Sequence, residues 1–358
     1  MSCVEFKESQ FEVESKEGEW KSVNKFHAKV PLGDHFFRAA NYGVMGAAVF
    51  GAYGFVTGPM GAVSCIALAP AARKVISTAL GYFAYPAALN SFPWGEGNYL
   101  KRIGESYLSH LRQNGCFVKK VSLVKSGTKY DAVLIGNEAT IDNGKWTVHA
   151  LGDRMAMEGS YVPLSRQDHY NNSNTMLING PSVCGSGGCP TRYQMGAGFE
   201  AGLQFLENAV RATHIAMHGY SLGAGMMSEA ILNHEFMDDV QYLFIADRTF
   251  TRLSDFASVK IGRFVKPIFL ASGMELDCIA ASKKLDSLKI SQIVIQHKSK
   301  DGNGTDGMVP DSVSFVQGIY KSEAKKVVFL SEEILCENEL PLAVSQDVNR
   351  EIQEFFRE

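Results

Sequence analysis

The sequence of 358 residues lacks the features of several broad protein classes. It has no surplus of positive charge. Its 35 Lys and Arg face 38 Asp and Glu, a formal net charge of −3, whereas a nucleic-acid binder normally carries a basic excess, so no nucleic-acid partner is expected. Met1 to Trp20 is polar and acidic, without the basic start and apolar run of a Sec signal peptide. The seven cysteines are odd in number and scattered from Cys3 to Cys336. They do not read as a disulfide framework, and no second Cys/His pair completes a zinc site around Cys184 and Cys189. Repeats and low-complexity stretches are missing too, and no metal or organic cofactor is implied. What remains is ordinary globular composition, 46% hydrophobic and 20% charged, enough to bury a sizeable core.

Charge is also missing locally. No charged residue occurs between Arg38 and Arg73, and none from Val75 to Trp94. A bilayer-spanning helix needs ~20 consecutive apolar residues. Gly58-Pro59 would break a helix and leave two arms slightly shorter than that. Residues 39–94 therefore have two readings. One is a hairpin dipping into or crossing a membrane, where Gly43, Ala47, Gly51, Gly54 and Gly58 let helices approach closely. The other is a buried Ala/Gly-rich helical pair packed on the rest of the protein. The composition shift near residue 120 suggests a polar N-terminal segment (1–37), an apolar helical region (38–120) and a main domain (121–358).

Residues 101–120 read as an amphipathic helix, with Ile103, Tyr107 and Leu111 on one face. Residues 130–136 and 145–150 read as short strands joined through the turn Asp142-Asn143-Gly144. Further along, strands are expected at 175–179, 214–218, 241–246, 290–296 and 325–330. Helices are expected at 198–213, after Ser221 and at 344–356. Such alternation predicts an α/β fold, a mainly parallel sheet flanked by helices.

The most informative local pattern is His218-Gly219-Tyr220-Ser221-Leu222-Gly223. It fits G-x-S-x-G between an apolar strand and a long helix, the context of a nucleophile elbow. The sharp turn strains the serine backbone, so tiny residues are needed two places before and after it. Leu222 N–H and the helix N-terminus would face a developing oxyanion. A second donor is expected from the loop after 176–178. Pro181 there has no N–H, which leaves Ser182 or a neighbour. A serine nucleophile also needs a base, and only His234 and His297 follow it. His234 lies far along the next helix, about 20 Å away at ~1.5 Å per residue. His297 remains as the candidate base.

Two assignments of the acid stay open. In the first, a strand at 266–272 leads to Asp277, and His297 ends the last strand. In the second, Asp306 in Asp306-Gly307-Met308-Val309-Pro310 follows the strand at 290–296, and 325–330 is the last strand. The second fits the strand count better but leaves the final loop without a histidine. Asp247 is a further alternative acid, although its neighbour Arg248 would hold it in an ion pair. His149 and His169 lack a nearby acid or metal-ligand spacing and read as ordinary surface or loop residues. Asp301, Asp306 and Asp311 with Asn303 lack the spacing of a calcium loop and read as a polar loop, so no metal site is assigned.

These residues carry a resemblance. His218-Gly-Tyr-Ser-Leu-Gly223, Ile245-Ala-Asp-Arg-Thr-Phe250 with Leu253, and Asp306-Gly-Met-Val-Pro310 resemble the α/β-hydrolase superfamily. More narrowly, residues 125–356 are similar to hydrolase-like proteins of Chlamydia-type and Legionella-type intracellular bacteria, which also carry an apolar helical N-terminal region. The resemblance implies Ser221 as nucleophile and Asp306 as acid of an esterase- or lipase-like enzyme acting on an ester or lipid-like small substrate. It implies a membrane-associated or cytoplasmic protein, or a secreted effector. The absent histidine after the last strand departs from the pattern. It keeps open a catalytically degenerate scaffold acting as a membrane-anchored interaction protein.

Overall fold

The computed structural model describes residues 21, 23–29, 61–91, 96–297, 309–319, 325–330 and 346–357. The strands are β1 (Lys25–His27), β2 (Phe117–Lys125), β3 (Thr128–Gly136), β4 (Lys145–Ala150), β5 (Asn174–Ile178), β6 (His214–Tyr220), β7 (Gln241–Asp247), β8 (Ser291–His297) and β9 (Lys325–Leu330). They form one sheet in the order β1-β2-β3-β5-β4-β6-β7-β8-β9. From β5 to β9 every neighbour is parallel, while β2–β3 and β3–β5 are antiparallel. Parallel neighbours need long crossovers, and the intervening helices supply them. The helices are α1 (Gly61–Ala84), α2 (Gly97–Gln113), α3 (Tyr161–Tyr170), α4 (Arg192–Phe205), α5 (Leu222–Asn233), α6 (Leu253–Ile261), α7 (Val265–Ser272), α8 (Cys278–Ser287), α9 (Phe315–Ile319) and α10 (Gln346–Phe355).

Side chains alternate across each strand, and the two faces of the sheet are built differently. On one face Met217, Phe244 and Val294 join a large core with residues of α4, α5 and α8, such as Phe199, Met226 and Leu285. On the other, two separate apolar clusters form. Leu108, Tyr161 and Leu164 from α2 and α3 cover Val133, Ile135 and Leu177. Val348 and Ile352 from α10 cover Ala216, Leu243 and Ile245. Between these clusters runs a buried polar row that includes Thr147, His149, Asp168, Thr175 and His218.

Several expectations are corrected here. The boundary near residue 120 falls inside β2, and β2 pairs with β1 from the N-terminal segment. The amphipathic helix stops at Gln113, because Gly115 takes a left-handed φ of 79° and Phe117 opens a strand. The turn at Asn143-Gly144 exists, but it does not join two paired strands. β3 pairs with β2 through Ser126-Gly127, both at positive φ as a tight hairpin requires. The stretch 266–272 is not a strand but helix α7. Pro267 sits in its first turn, where its missing N–H costs nothing, and Gly273 at φ 76° caps its end. A short apolar run alone cannot distinguish the two.

Residues 39–60 and 92–94 of the uncharged region lie outside the described residues. Residues 61–84 form one helix, α1, with Arg73 and Lys74 in its interior. Among the described residues no helix is long and apolar enough to cross a membrane. Beyond α1 the chain turns inward, and Tyr85, Ala87 and Ala88 are buried in the main core.

Candidate active site

Strand β6 delivers Ser221 to the C-terminal edge of the parallel strands, where α/β folds gather their ligands. Ser221 sits at φ 51°, ψ −120° between β6 and α5. A non-glycine residue held there stores strain of ~1–3 kcal/mol, which the surroundings must impose. They do so from three sides. Ser221 N–H donates to Asp247 O at 2.9 Å, Ala224 N–H donates to Ser221 O at 3.1 Å, and Thr249 Oγ1 donates to the same oxygen at 2.8 Å. The turn is also too tight for side chains at its flanks. A Cβ on Gly219 would stand 2.3 Å from Ala224 Cα, and one on Gly223 would stand 2.0 Å from Ala150 O.

Leu222 begins α5, so its N–H is among those without an intrahelical acceptor. The neighbouring loop is not the expected one. β4, not β5, lies beside β6, and the backbone after β4 packs onto the elbow. Ala150 O and Leu151 O crowd Gly223, and the Tyr220 ring lies against Gly152. Ser182 stands on the loop after β5, one strand farther out, and its N–H donates to Gly187 O at 3.1 Å. Its hydroxyl meets Gly188 O and, at 3.2 Å, Tyr82 Oη. That amide is therefore engaged within its own loop.

The remaining candidates are placed as follows. His297 is the last residue of β8, at the same sheet edge as Ser221 and two strands from β6, ~10 Å in strand spacings. Asp306 lies outside the described residues. Asp277 serves another purpose: it is the N-cap of α8, accepting from Ala280 N–H at 2.9 Å and from Arg252 Nε at 3.0 Å. Asp247 is fully buried and pairs with Arg248 Nε at 2.8 Å. The Arg248 guanidinium in turn stacks 4.7 Å over the Tyr220 ring. His234 is buried against Glu207 at 2.7 Å, at the C-terminal end of α5, away from the elbow turn.

His149 is not a surface residue. It and His218 face each other in register on β4 and β6, both fully buried, with Nδ1 atoms 2.8 Å apart. His149 Nε2 donates to Asp168 Oδ2 at 2.7 Å, and Thr175 Oγ1 donates to the same oxygen at 2.6 Å. His149 thus carries its proton on Nε2, its Nδ1 accepts, and His218 donates from Nδ1. That leaves His218 Nε2 bare, 3.7 Å from Asp247 Oδ2 and without a hydrogen bond. Burial lowers the His218 pKa, and the nearby Asp247 carboxylate opposes this. The row of Asp168, His149, His218 and Asp247 ends beside the backbone that holds Ser221. Spacing in the sequence could not reveal it, because the two histidines come together only through strand pairing.

The two buried cysteines, Cys184 and Cys278, do not compete with Ser221 as nucleophiles. Burial pushes the Cys278 thiol up to about 12 and the Cys184 thiol up to about 12, so neither supplies thiolate at neutral pH. Among the described residues no cluster of three or more His, Cys, Asp or Glu could hold a metal ion. A cavity of about 340 Å³ lies between α2, β2 and β3, lined by Lys101, Glu105, Lys129, Asp131, Glu158 and Tyr161. It is three strands from Ser221 and separate from the elbow.

Residues 95–356 match a family model described as Chlamydia CHLPS protein (DUF818). No curated protein matches the sequence. Among solved structures, the chain is similar to an alpha-beta hydrolase from Vibrio vulnificus at 16% identity and a TM-score of 0.51, covering 70% of this chain and 84% of that one. It is also similar to 2,6-dihydroxy-pseudo-oxynicotine hydrolase at 13% identity and a TM-score of 0.51, covering 87% of this chain and 85% of that one. At these identities the likeness concerns the fold: a mostly parallel sheet flanked by helices, shared with α/β-hydrolases.

Proposed function

We infer that this chain, which belongs to the Chlamydia CHLPS protein (DUF818) family, is a serine acyl hydrolase with Ser221 as nucleophile. The observation that supports it most is the backbone of Ser221, held at φ 51°, ψ −120° by hydrogen bonds with Asp247, Ala224 and Thr249 and flanked by two glycines with no room for a Cβ. In this reading Ser221 Oγ attacks the ester carbonyl and forms an acyl-enzyme, releasing the alcohol, and water then releases the acid. Leu222 N–H and an N–H of the loop at 151–152 stabilise the oxyanion. His297 takes the Ser221 proton, and Asp306 orients it. The order of serine, acid and then histidine along the chain is the usual one for this fold. Here the histidine precedes the acid and stands on β8.

A second reading has a specific feature in its favour. No histidine follows β9, where this fold normally supplies the base, so a scaffold that binds without catalysis stays in contention. Labelling with a fluorophosphonate, which needs an activated serine, separates the two. The hydrolase reading expects labelling of wild type, none of Ser221→Ala, and strong loss in His297→Ala. Labelling that survives in His297→Ala points to another base. A folded wild type that never labels sinks the hydrolase reading.

A further inference from the structure

We propose that the hairpin of α6 and α7, with α1 beside it, is a docking surface for an anionic lipid bilayer, set over the mouth of the Ser221 site. The proposal rests on the acyl-hydrolase reading and makes the substrate an ester presented by a membrane.

The hairpin leaves the sheet at the nucleophile. Asp247 and Thr249 both hydrogen-bond the Ser221 backbone. Phe250 then packs on α5, where a Cβ on Gly225 would stand 2.9 Å from its ring, and stacks on Phe256 of α6 at 5.7 Å between ring centroids. Helix α1 reaches both flanks of the site. The Arg73 guanidinium lies against Gly273 at the end of α7, Gly81 lies against Pro190 O, and Tyr82 Oη is 3.2 Å from Ser182 Oγ. The loop around residues 180–190 follows β5 and the hairpin follows β7, and these strands flank β4 and β6. A helix touching both therefore crosses the ends of β4 and β6. The lengths agree: Arg73 to Tyr82 spans ~14 Å at ~1.5 Å per residue, and three strand spacings span ~14 Å.

The outer side of this strap is apolar. Val259, Ile261, Phe264, Ile268 and Leu270 are between 42% and 67% exposed, and α1 adds Val75, Ile76 and Phe83. Together these are eight of the thirteen large apolar side chains exposed among the described residues. Scattered singly they would need no explanation; concentrated on three adjoining helices they mark a contact surface. The charge on these helices and their connection is mostly positive. Arg73, Lys74, Lys260, Arg263 and Lys266 face a single acid, Asp255, which pairs with Lys266. Apolar helices with Lys and Arg at their flanks suit the interface of an anionic membrane. A second copy of the chain would bring these like charges together across a two-fold contact.

Flotation of the full chain with vesicles tests this. Wild type is expected to rise with vesicles of phosphatidylcholine mixed with phosphatidylglycerol and to stay behind with phosphatidylcholine alone. Phe264→Ser/Ile268→Ser is expected to abolish flotation, and Lys260→Gln/Arg263→Gln to weaken binding by about thirtyfold. Both variants should keep the circular dichroism of wild type and its hydrolysis of soluble p-nitrophenyl butyrate. Flotation of the hairpin variant equal to wild type would overturn the proposal. So would indifference to phosphatidylglycerol, or a wild-type dimer that the variant loses without any vesicle binding. Ser221→Ala keeps the two readings apart. If it floats like wild type while no form cleaves any ester, docking stands and the hydrolase reading falls. If wild type cleaves p-nitrophenyl butyrate but never floats, the docking surface falls alone.

Discussion

Replacing Asp168 with alanine probes the polar row beneath the elbow. The Asp168 carboxylate accepts from His149 Nε2 at 2.7 Å and from Thr175 Oγ1 at 2.6 Å, and its side chain is 1% exposed. Alanine leaves the His149 N–H and the Thr175 hydroxyl buried without that acceptor, at ~1–3 kcal/mol each. The expected loss of stability is therefore about 4 kcal/mol, the sum of two mid-range penalties. At ~2–4 °C per kcal/mol for a large domain, the melting temperature falls by roughly 10 °C. Thr175→Val is the calibrating variant. It removes one neutral donor while Asp168 keeps His149, so it should cost only about 1 kcal/mol. Urea titration followed by circular dichroism gives both values, provided the slopes match wild type. An Asp168→Ala protein within about 1 kcal/mol of wild type would refute the reasoning, because it would mean water satisfies these groups and the row is not sealed.

Two further outcomes follow from the same geometry. Burial holds His218 below its ordinary pKa, and His169 is lowered in the same way, so the unfolded chain takes up protons that the folded one resists. Stability is then full above about pH 6.5 and declines as pH falls through the folded values; His218→Gln should flatten part of that decline in urea midpoints, and a midpoint that rises on acidification would contradict it. Gly223→Ala sets a Cβ 2.0 Å from Ala150 O, so it should destabilise by at least ~1–3 kcal/mol and abolish fluorophosphonate labelling. Gly159→Ala, where a Cβ meets nothing within 4 Å, should do neither, and equal labelling of the two variants would show that the elbow tolerates a side chain.

Much of the fold was legible in the sequence because its signals are local. Apolar runs at 214–218, 241–246 and 325–330 became β6, β7 and β9 with ends shifted by two residues or fewer. Gly219 and Gly223 marked the elbow because the turn between strand and helix has room for nothing larger. Whatever depends on which strands lie side by side was not legible. Asn143-Gly144 looked like the turn of a hairpin, yet β5 inserts between β3 and β4 and takes both as partners. The same insertion brings the loop after β4, rather than Ser182, to the elbow. His149 and His218 are sixty-nine positions apart in the chain and 2.8 Å apart in space, and neither shows a ligand or an acid within its own stretch of sequence. Hydrophobic period and turn chemistry act over a few residues, so the sequence alone determined most of the strands and the strained serine, but not helix α7, whose short apolar run reads equally as a strand. The satisfaction of buried polar groups acts across the sheet, so only the tertiary structure decided which histidines are sealed inside, which loop meets Ser221 and which helices present their apolar sides outward.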